Sequence, residues 1–247
     1  MSYVDFTDRK IMVVGASSGI GKETAILLSQ LGARVVLVSR SDVKLQTVKS
    51  QMFDSNKHIV ISYDVRDTEG CKTVFEQAVT DGQKLTGLVY CAGVAKPVPL
   101  RAASYSEYKN VFATNYYGFI NITGWFARKK FNAGGSVVAV SALNAHYPQK
   151  CMTLYASSKA ALEVAVRTLA VELADQNIRI NSVVPGAVDT PMSDAVDKAA
   201  LEVIVSKQLL GMQSPNQIAD CIVYLLSERA GAITGRNLFA DGGMLGQ

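Results

Sequence analysis

The sequence predicts an α/β fold: a mostly parallel sheet of seven strands, doubly wound, with helices on both faces. Three observations carry that expectation. Short β-branched apolar runs alternate with longer helical stretches along all 247 residues. The strand-like runs are apolar at successive positions, as suits strands buried on both faces. No linker rich in Pro, Gly or Ser breaks the alternation and no repeat period emerges, so one domain spanning 1–247 is expected.

The elements follow in order. Ile11–Val14 leads into a helical stretch to about Leu31, and Arg34–Val38 into a helix near Asp42–Met52. His58–Ser62 precedes a helix over Thr68–Thr80, and Leu85–Tyr90 a long one from about Glu107 to Lys130. Ser136–Val140, Ile178–Val183 and Asn237–Ala240 complete the strands, with a helix over Tyr155–Asp175 between the first two. Open sheets of this kind bind ligands beyond the carboxyl ends of their strands. The residues just after each strand are therefore the ones to inspect.

Composition narrows the function classes. The chain is 49% hydrophobic and 19% charged, and a chain of this length buries roughly 70–75% of its extended surface. Disorder is excluded. Apolar runs of four or five residues are too short to span a bilayer, and the first residues lack the features of a signal peptide, so a soluble cytoplasmic protein is expected. The net charge is +4, with basic residues scattered and no basic run interleaved with aromatics, which argues against nucleic acid. The densest run, Arg128–Lys130, reads as a solvated helix end, with a docking patch for an acidic partner as the alternative. Four widely spaced cysteines and two histidines give no metal-binding spacing, so no metal is expected and the cysteines read as reduced packing residues.

After the first strand comes Gly15-Ala16-Ser17-Ser18-Gly19-Ile20-Gly21, then the start of a helix. The glycines permit a tight turn and close backbone approach, and the helix start directs N–H groups at an anion. Strand, loop and helix in that order make a dinucleotide diphosphate site. At the end of the second strand stand Ser39 and Arg40, where an acid would hold the ribose of NAD. A hydroxyl followed by a guanidinium suits a 2′-phosphate, so NADP(H) is favoured. Tyr155 and Lys159 are four residues apart on one helical face. An ammonium near a phenol favours the phenolate and lowers a pKa otherwise near ~10, toward values useful for proton transfer.

The glycine spacing, G-x-x-x-G-x-G, together with Tyr155-Ala156-Ser157-Ser158-Lys159, resembles the short-chain dehydrogenase/reductase family, with Val14 where that family commonly has Thr. The likeness spans nearly the entire chain, ending in Thr234-Gly235 and Asp241-Gly242-Gly243. It implies a Rossmann-type fold and places further residues at the cofactor. Asp64 and Val65 would contact the adenine. Tyr90-Cys91-Ala92-Gly93 stands where the family has Asn-Asn-Ala-Gly, which keeps Ala92 and Gly93 close to the cofactor with Cys91 as a small neutral filler. Pro185, Gly186, Val188 and Thr190 resemble the segment around the nicotinamide, Asn115 the residue that holds a water for a proton relay, and Lys159 the residue that holds the nicotinamide ribose.

One expected residue is absent. The family's catalytic Ser lies thirteen positions before the Tyr, and that position is Ala142. The neighbouring Ser141 would point to the opposite face of a strand. Four explanations stay open: a shift or bulge that brings Ser141 inward, a donor from Asn144, an engineered knock-out, and a binder with weak or no catalysis.

The resemblance thus implies an NADPH-dependent reductase that converts a ketone to a secondary alcohol. Its closest likeness is to 3-oxoacyl-(acyl-carrier-protein) reductases, with a small-molecule or carrier-linked carbonyl as substrate. A cofactor-binding protein without useful catalysis and an NAD-dependent alcohol or sugar dehydrogenase are the alternatives. Small and apolar residues on more than one face of two helices, with the resemblance, point to a homotetramer or homodimer. Substrate choice would fall to a lid over about 191–212, the stretch without a family motif.

Overall fold

The computed structural model describes residues 4–195 and 198–246. Its strands are β1 (Lys10–Val14), β2 (Arg34–Ser39), β3 (Ile59–Ser62), β4 (Leu85–Tyr90), β5 (Asn132–Val140), β6 (Ile178–Pro185) and β7 (Asn237–Ala240). They form one seven-stranded sheet in the order β3-β2-β1-β4-β5-β6-β7. Every pairing is parallel. The strand order reverses between β1 and β4, which places a crevice beyond their carboxyl ends.

The central strands serve two cores. Met12 and Val14 of β1 pack with Leu88, Tyr90, Phe119, Ile122 and Leu162 on one face of the sheet. Ile11 and Val13 pack with Leu28, Val89, Ile218 and Ile222 on the other. Successive side chains of a strand alternate faces, so a strand covered on both sides needs apolar residues at every position. The first face carries α3 (Cys71–Ala78), α5 (Gly118–Phe126) and α6 (Thr153–Glu172); the second carries α1 (Gly19–Gln30), α2 (Asp42–Ser50) and α8 (Pro215–Leu226).

Two elements differ from the sequence reading in ways that matter. The helix expected over Thr68–Thr80 begins only at Cys71, because the Asp67 carboxylate accepts from the N–H groups of Glu69 and Gly70 in a turn. The helix expected over Glu107–Lys130 is broken into α4 (Tyr105–Phe112), a π-helical turn at Ala113–Tyr117, and α5. π turns arise where a helix holds one residue too many, frequently beside functional sites. Here the hydroxyl of Tyr90, buried under the turn, donates to the carbonyl of Thr114 at 2.5 Å. Tyr90 stands where the resembled family has Asn, and it supports the helix above it rather than facing a ligand.

Within the span expected to form a lid, α7 (Lys198–Val205) is present, and residues 196 and 197 lie outside the described residues. The buried Gln208 ties the end of this segment to the loop after β6. It accepts from the Ala187 N–H and donates to the Gly211 carbonyl at 2.6 Å.

At the amino end of the central strand β1, Lys10 is fully buried and its ammonium donates to Asp81 at 2.6 Å and to the Ala78 carbonyl at 2.8 Å. Removing one partner of a buried pair leaves an uncompensated charge. Asp81→Ala is expected to destabilise the fold by about 3 kcal/mol, measured by urea unfolding, with dinucleotide affinity of the remaining folded protein unchanged.

Candidate active site

One cavity of about 1210 Å³ runs over the carboxyl ends of β1, β2, β4, β5 and β6. It exceeds the ~300–1,000 Å³ of single-ligand pockets, as suits a cleft for two ligands side by side. Its floor is the glycine loop. Gly15 has φ +89°, and a Cβ there would lie 2.6 Å from the N of Ala92 and 2.8 Å from the carbonyl carbon of Cys91. Only glycine lets the loops after β1 and β4 approach so closely. Ser17, Ser18, Gly19, Ile20 and Gly21 line the same cavity. Ser18 caps α1 without a side-chain hydrogen bond and the first turn has no acid, so that turn's N–H groups present an anion site. The cradle fits a dinucleotide diphosphate.

At the β2 end of the cavity stand Ser39 and Arg40, with Asp64 and Val65 beyond them. Arg40 makes no ion pair among the described residues, whereas Arg66 is held by Asp64 and by Asn110 at 3.0 Å. That pairing keeps the Asp64 carboxyl below the usual carboxylate range. Lys44, in the first turn of α2, lines the same end as a second cation. Sequence reading passed over Lys44 because it looks like one more solvated helix lysine; its closeness to Arg40 follows from the tight β2–α2 connection. Cys91, Ala92, Gly93, Pro185, Gly186, Val188 and Thr190 line the middle. Burial raises the Cys91 thiol to about 12, which leaves it a neutral filler.

Tyr155 and Lys159, both on α6, line the far end. The Lys159 ammonium, almost fully buried, donates to the carbonyl of Val140 at 2.7 Å and lies 5.9 Å from the Tyr155 ring centre. Burial lowers Lys159 to about 8, partly opposed by the fields of Cys91 and Glu163. Burial also raises Tyr155 to about 12. The lowering of the phenol expected from the neighbouring ammonium is thus not present in the chain alone. Desolvation of the phenolate by burial is what sets the direction of the shift.

Asn115 sits in the π turn behind the cavity wall and is fully buried. Its carbonyl oxygen accepts from the Val94 N–H at 2.8 Å, and its amide donates to the Val94 carbonyl at 3.0 Å and the Ser158 hydroxyl at 2.9 Å. The side chain therefore clamps the loop after β4 to α6. Its amide is fully engaged within the protein.

The substrate end was the least legible part. Its walls are Val94, Leu143, Met152, Met192, Leu201 and Ile204, with Asn144, Gln149 and Lys150 as polar residues of the same lining. These residues come from the loops after β4, β5 and β6 and from α7, and only the tertiary fold brings them together.

Ala142 lines the cavity, whereas the Ser141 hydroxyl is turned into the protein and donates to Glu163 at 2.5 Å. Glu163, on the α6 face one turn beyond Lys159, is buried and also accepts from His146 Nε2 at 2.7 Å and Asn237 Nδ2 at 2.8 Å. There is no bulge that brings Ser141 inward. Glu163 resembles a solvated helix acid in the sequence, and nothing short of the fold marks it as a hub. Ser141→Ala is expected to lower stability by about 1–3 kcal/mol, the range for an unmet buried group, while changing turnover less than about threefold. A hundredfold loss of turnover at unchanged stability would place Ser141 in the chemistry instead.

A family model described as Enoyl-(Acyl carrier protein) reductase matches residues 15–245. The chain is 33% identical over 239 residues to the 3-oxoacyl-[acyl-carrier-protein] reductase FabG of Thermotoga maritima, covering 95% of this chain and 96% of that protein. It is 33% identical over 246 residues to L-xylulose reductase of Caenorhabditis elegans, covering 97% and 96%. Among solved structures it is similar to a 7α-hydroxysteroid dehydrogenase complexed with NADH and 7-oxo glycochenodeoxycholic acid, with a TM-score of 0.91 at 25% identity over 97% and 95% of the two chains. The glycine cradle at the switch point and the Tyr155–Lys159 pair across it belong to a nicotinamide-dependent oxidoreductase, and the chain belongs to the short-chain dehydrogenase/reductase family.

Proposed function

We propose that the protein is an NADPH-dependent carbonyl reductase that converts a ketone to a secondary alcohol. The observation that carries this reading is one continuous cavity with Arg40 and Lys44 at one end and Tyr155 and Lys159 at the other. The glycine loop holds the diphosphate, Arg40 and Lys44 meet the 2′-phosphate, Asp64 and Val65 flank the adenine, and Gly186, Val188 and Thr190 border the nicotinamide. When bound, the dinucleotide supplies a hydride to the carbonyl carbon. Tyr155 gives its proton to the carbonyl oxygen, and a phenol held at about 12 is fully protonated and suited to donate at neutral pH. Lys159 steadies the phenolate that donation leaves behind, and Asn115 keeps Lys159 and the β4 loop in register.

Two relatives whose names are reductases, acting on a 3-oxoacyl carrier and on L-xylulose, support the direction. The apolar walls of the substrate end suit a ketone with an apolar body, and a 3-oxoacyl thioester fits that description. The chain works as one domain with a lid over about 191–212. Val164 and Val171, 52% and 81% exposed on α6, support self-association as a homotetramer or homodimer. No described helix is long and apolar enough to cross a membrane, in keeping with a cytoplasmic enzyme. A second reading, a cofactor binder with weak or no catalysis, is favoured by Ala142 alone.

Purified protein is expected to oxidise NADPH in the presence of an acetoacetyl thioester or a simple diketone. Tyr155→Phe is expected to abolish that absorbance change while NADPH binding, read by fluorescence, persists. NADPH binding without turnover of any carbonyl would favour the binder. Arg40→Asp is expected to weaken NADPH by about 10- to 100-fold, or roughly 1.4–2.8 kcal/mol, with NADH affinity unchanged. Equal affinity for both cofactors in the parent would sink the NADP(H) preference.

The pH dependence follows from Lys159. Below about pH 8 it is charged and steadies the developing phenolate; above, it is neutral, so kcat/KM for reduction is expected to fall through about pH 8. Between about pH 8 and the usual lysine range the unfolded chain binds the proton that the folded chain has lost, so this group makes stability rise with pH. Lys159→Met is expected to remove the rise and to leave the melting temperature at pH 7 unchanged or higher, with turnover lost. A clear fall in melting temperature at pH 7 would contradict the assignment of burial as the dominant effect.

A further inference from the structure

We infer that the carboxamide of Asn144 takes the place of the hydroxyl that Ala142 lacks, donating an N–H to the oxygen of the substrate carbonyl; the inference rests on the reductase reading above. The position thirteen before Tyr155 offers only a methyl group to the cavity. The adjacent hydroxyl, that of Ser141, is buried and committed to Glu163. Asn144 is two residues beyond Ala142 and lines the cavity with Ala142, Leu143, Met152 and Tyr155.

Its amide is unmet. Asn144 Nδ2 is buried and has no hydrogen-bond partner. The other buried side-chain atoms without a partner among the described residues belong to Arg34, Asn121, Thr123 and Gln176, none of which lines this cavity. Where it lies, Nδ2 has almost no accessible surface, so it meets a ligand only by turning toward the cavity. No hydrogen bond fixes the carboxamide in either sense, and a half-turn about its last torsion, which is broad for Asn, exchanges its nitrogen and oxygen.

The backbone beneath it is held firmly. The turn Leu143–Ala145 is closed by Ala145 N–H donating to the Ala142 carbonyl at 3.0 Å and by His146 and Tyr147 N–H donating to the Leu143 carbonyl at 2.9 and 2.8 Å. Ser141 and His146, which flank this turn, bind the two oxygens of the same Glu163 carboxylate. A donor rooted on a pinned turn is preorganised for charge developing on the carbonyl oxygen.

The test is a mutant cycle between positions 142 and 144 in the full-length protein, with carbonyl reduction by NADPH and affinity for the alcohol product by calorimetry as readouts. Asn144→Ala is expected to lower kcat about 100-fold, as for loss of one oxyanion donor, and to weaken the alcohol about 10-fold, with NADPH affinity and melting temperature unchanged. Asn144→Asp, whose ionised side chain cannot donate, is expected to match it. Adding Ala142→Ser to Asn144→Ala is expected to restore kcat to within about tenfold, whereas Ala142→Ser alone changes it less than about threefold. Asn144→Ala with parental kcat, or Ala142→Ser raising activity by the same factor in both backgrounds, overturns the inference. Turnover that appears only once Ala142→Ser is present also overturns it and favours the cofactor-binder reading. Absence of turnover in every variant, Ala142→Ser included, defeats the reductase reading itself and the inference with it.

Discussion

A lysine buried without a carboxylate in contact sets the terms for everything around the candidate active site. The Lys159 ammonium has one backbone carbonyl to donate to, that of Val140 at the end of β5. Burying a cation this way costs free energy that nothing local fully returns. The surroundings limit that cost by distance rather than by contact. Glu163 lies one turn along the same helix, close enough for its field to favour the charged form and engaged with three other donors. An ion pair with Lys159 would have held the ammonium more firmly and made it less available to a neighbouring phenol. The arrangement keeps the cation accessible to Tyr155 at the expense of stability.

Glu163 also explains why the missing serine does not disorganise the site. Its carboxylate gathers the end of β5 through Ser141, the following loop through His146, and β7 through Asn237. Three segments distant in sequence meet on one buried group of α6, one turn beyond Lys159 on the face that carries Tyr155 and Lys159. Asn115 does the corresponding work on the other side, holding the loop after β4 to Ser158. The catalytic face of α6 is therefore braced from both flanks by polar side chains whose hydrogen bonds are all internal, a condition for such networks to stabilise rather than loosen a core.

Much of this was readable before any coordinates. The run Leu85–Tyr90 coincides with β4, because a strand with so many apolar positions has no stable place except between two layers, and Asn237–Ala240 coincides with the half-buried edge strand β7. The glycine loop was legible for a related reason: backbone approach at Gly15 forbids a side chain, and only one residue type satisfies it. Strand alternation likewise told Ser141 apart from Ala142. What escaped was anything decided by a partner from another element. The π turn depends on a hydroxyl supplied by β4, Glu163 acts only through residues 22, 17 and 74 positions away, and the direction of the Tyr155 shift depends on how much water the fold excludes.

The π turn has a consequence for the length of the chain. In a regular helix each added residue rotates everything after it by about 100°. An extra residue between α4 and α5 would, in a straight helix, swing Phe119, Ile122 and Phe126 off the sheet they now cover. The wide turn at Ala113–Tyr117 absorbs that rotation, so Asn115 can reach Val94 and Ser158 behind the cavity wall while α5 keeps its phase against the core. Between Tyr105 and Phe126, then, the number of residues is itself under constraint. A single insertion or deletion would misalign either the chemistry or the packing, even if every substituted side chain were well chosen.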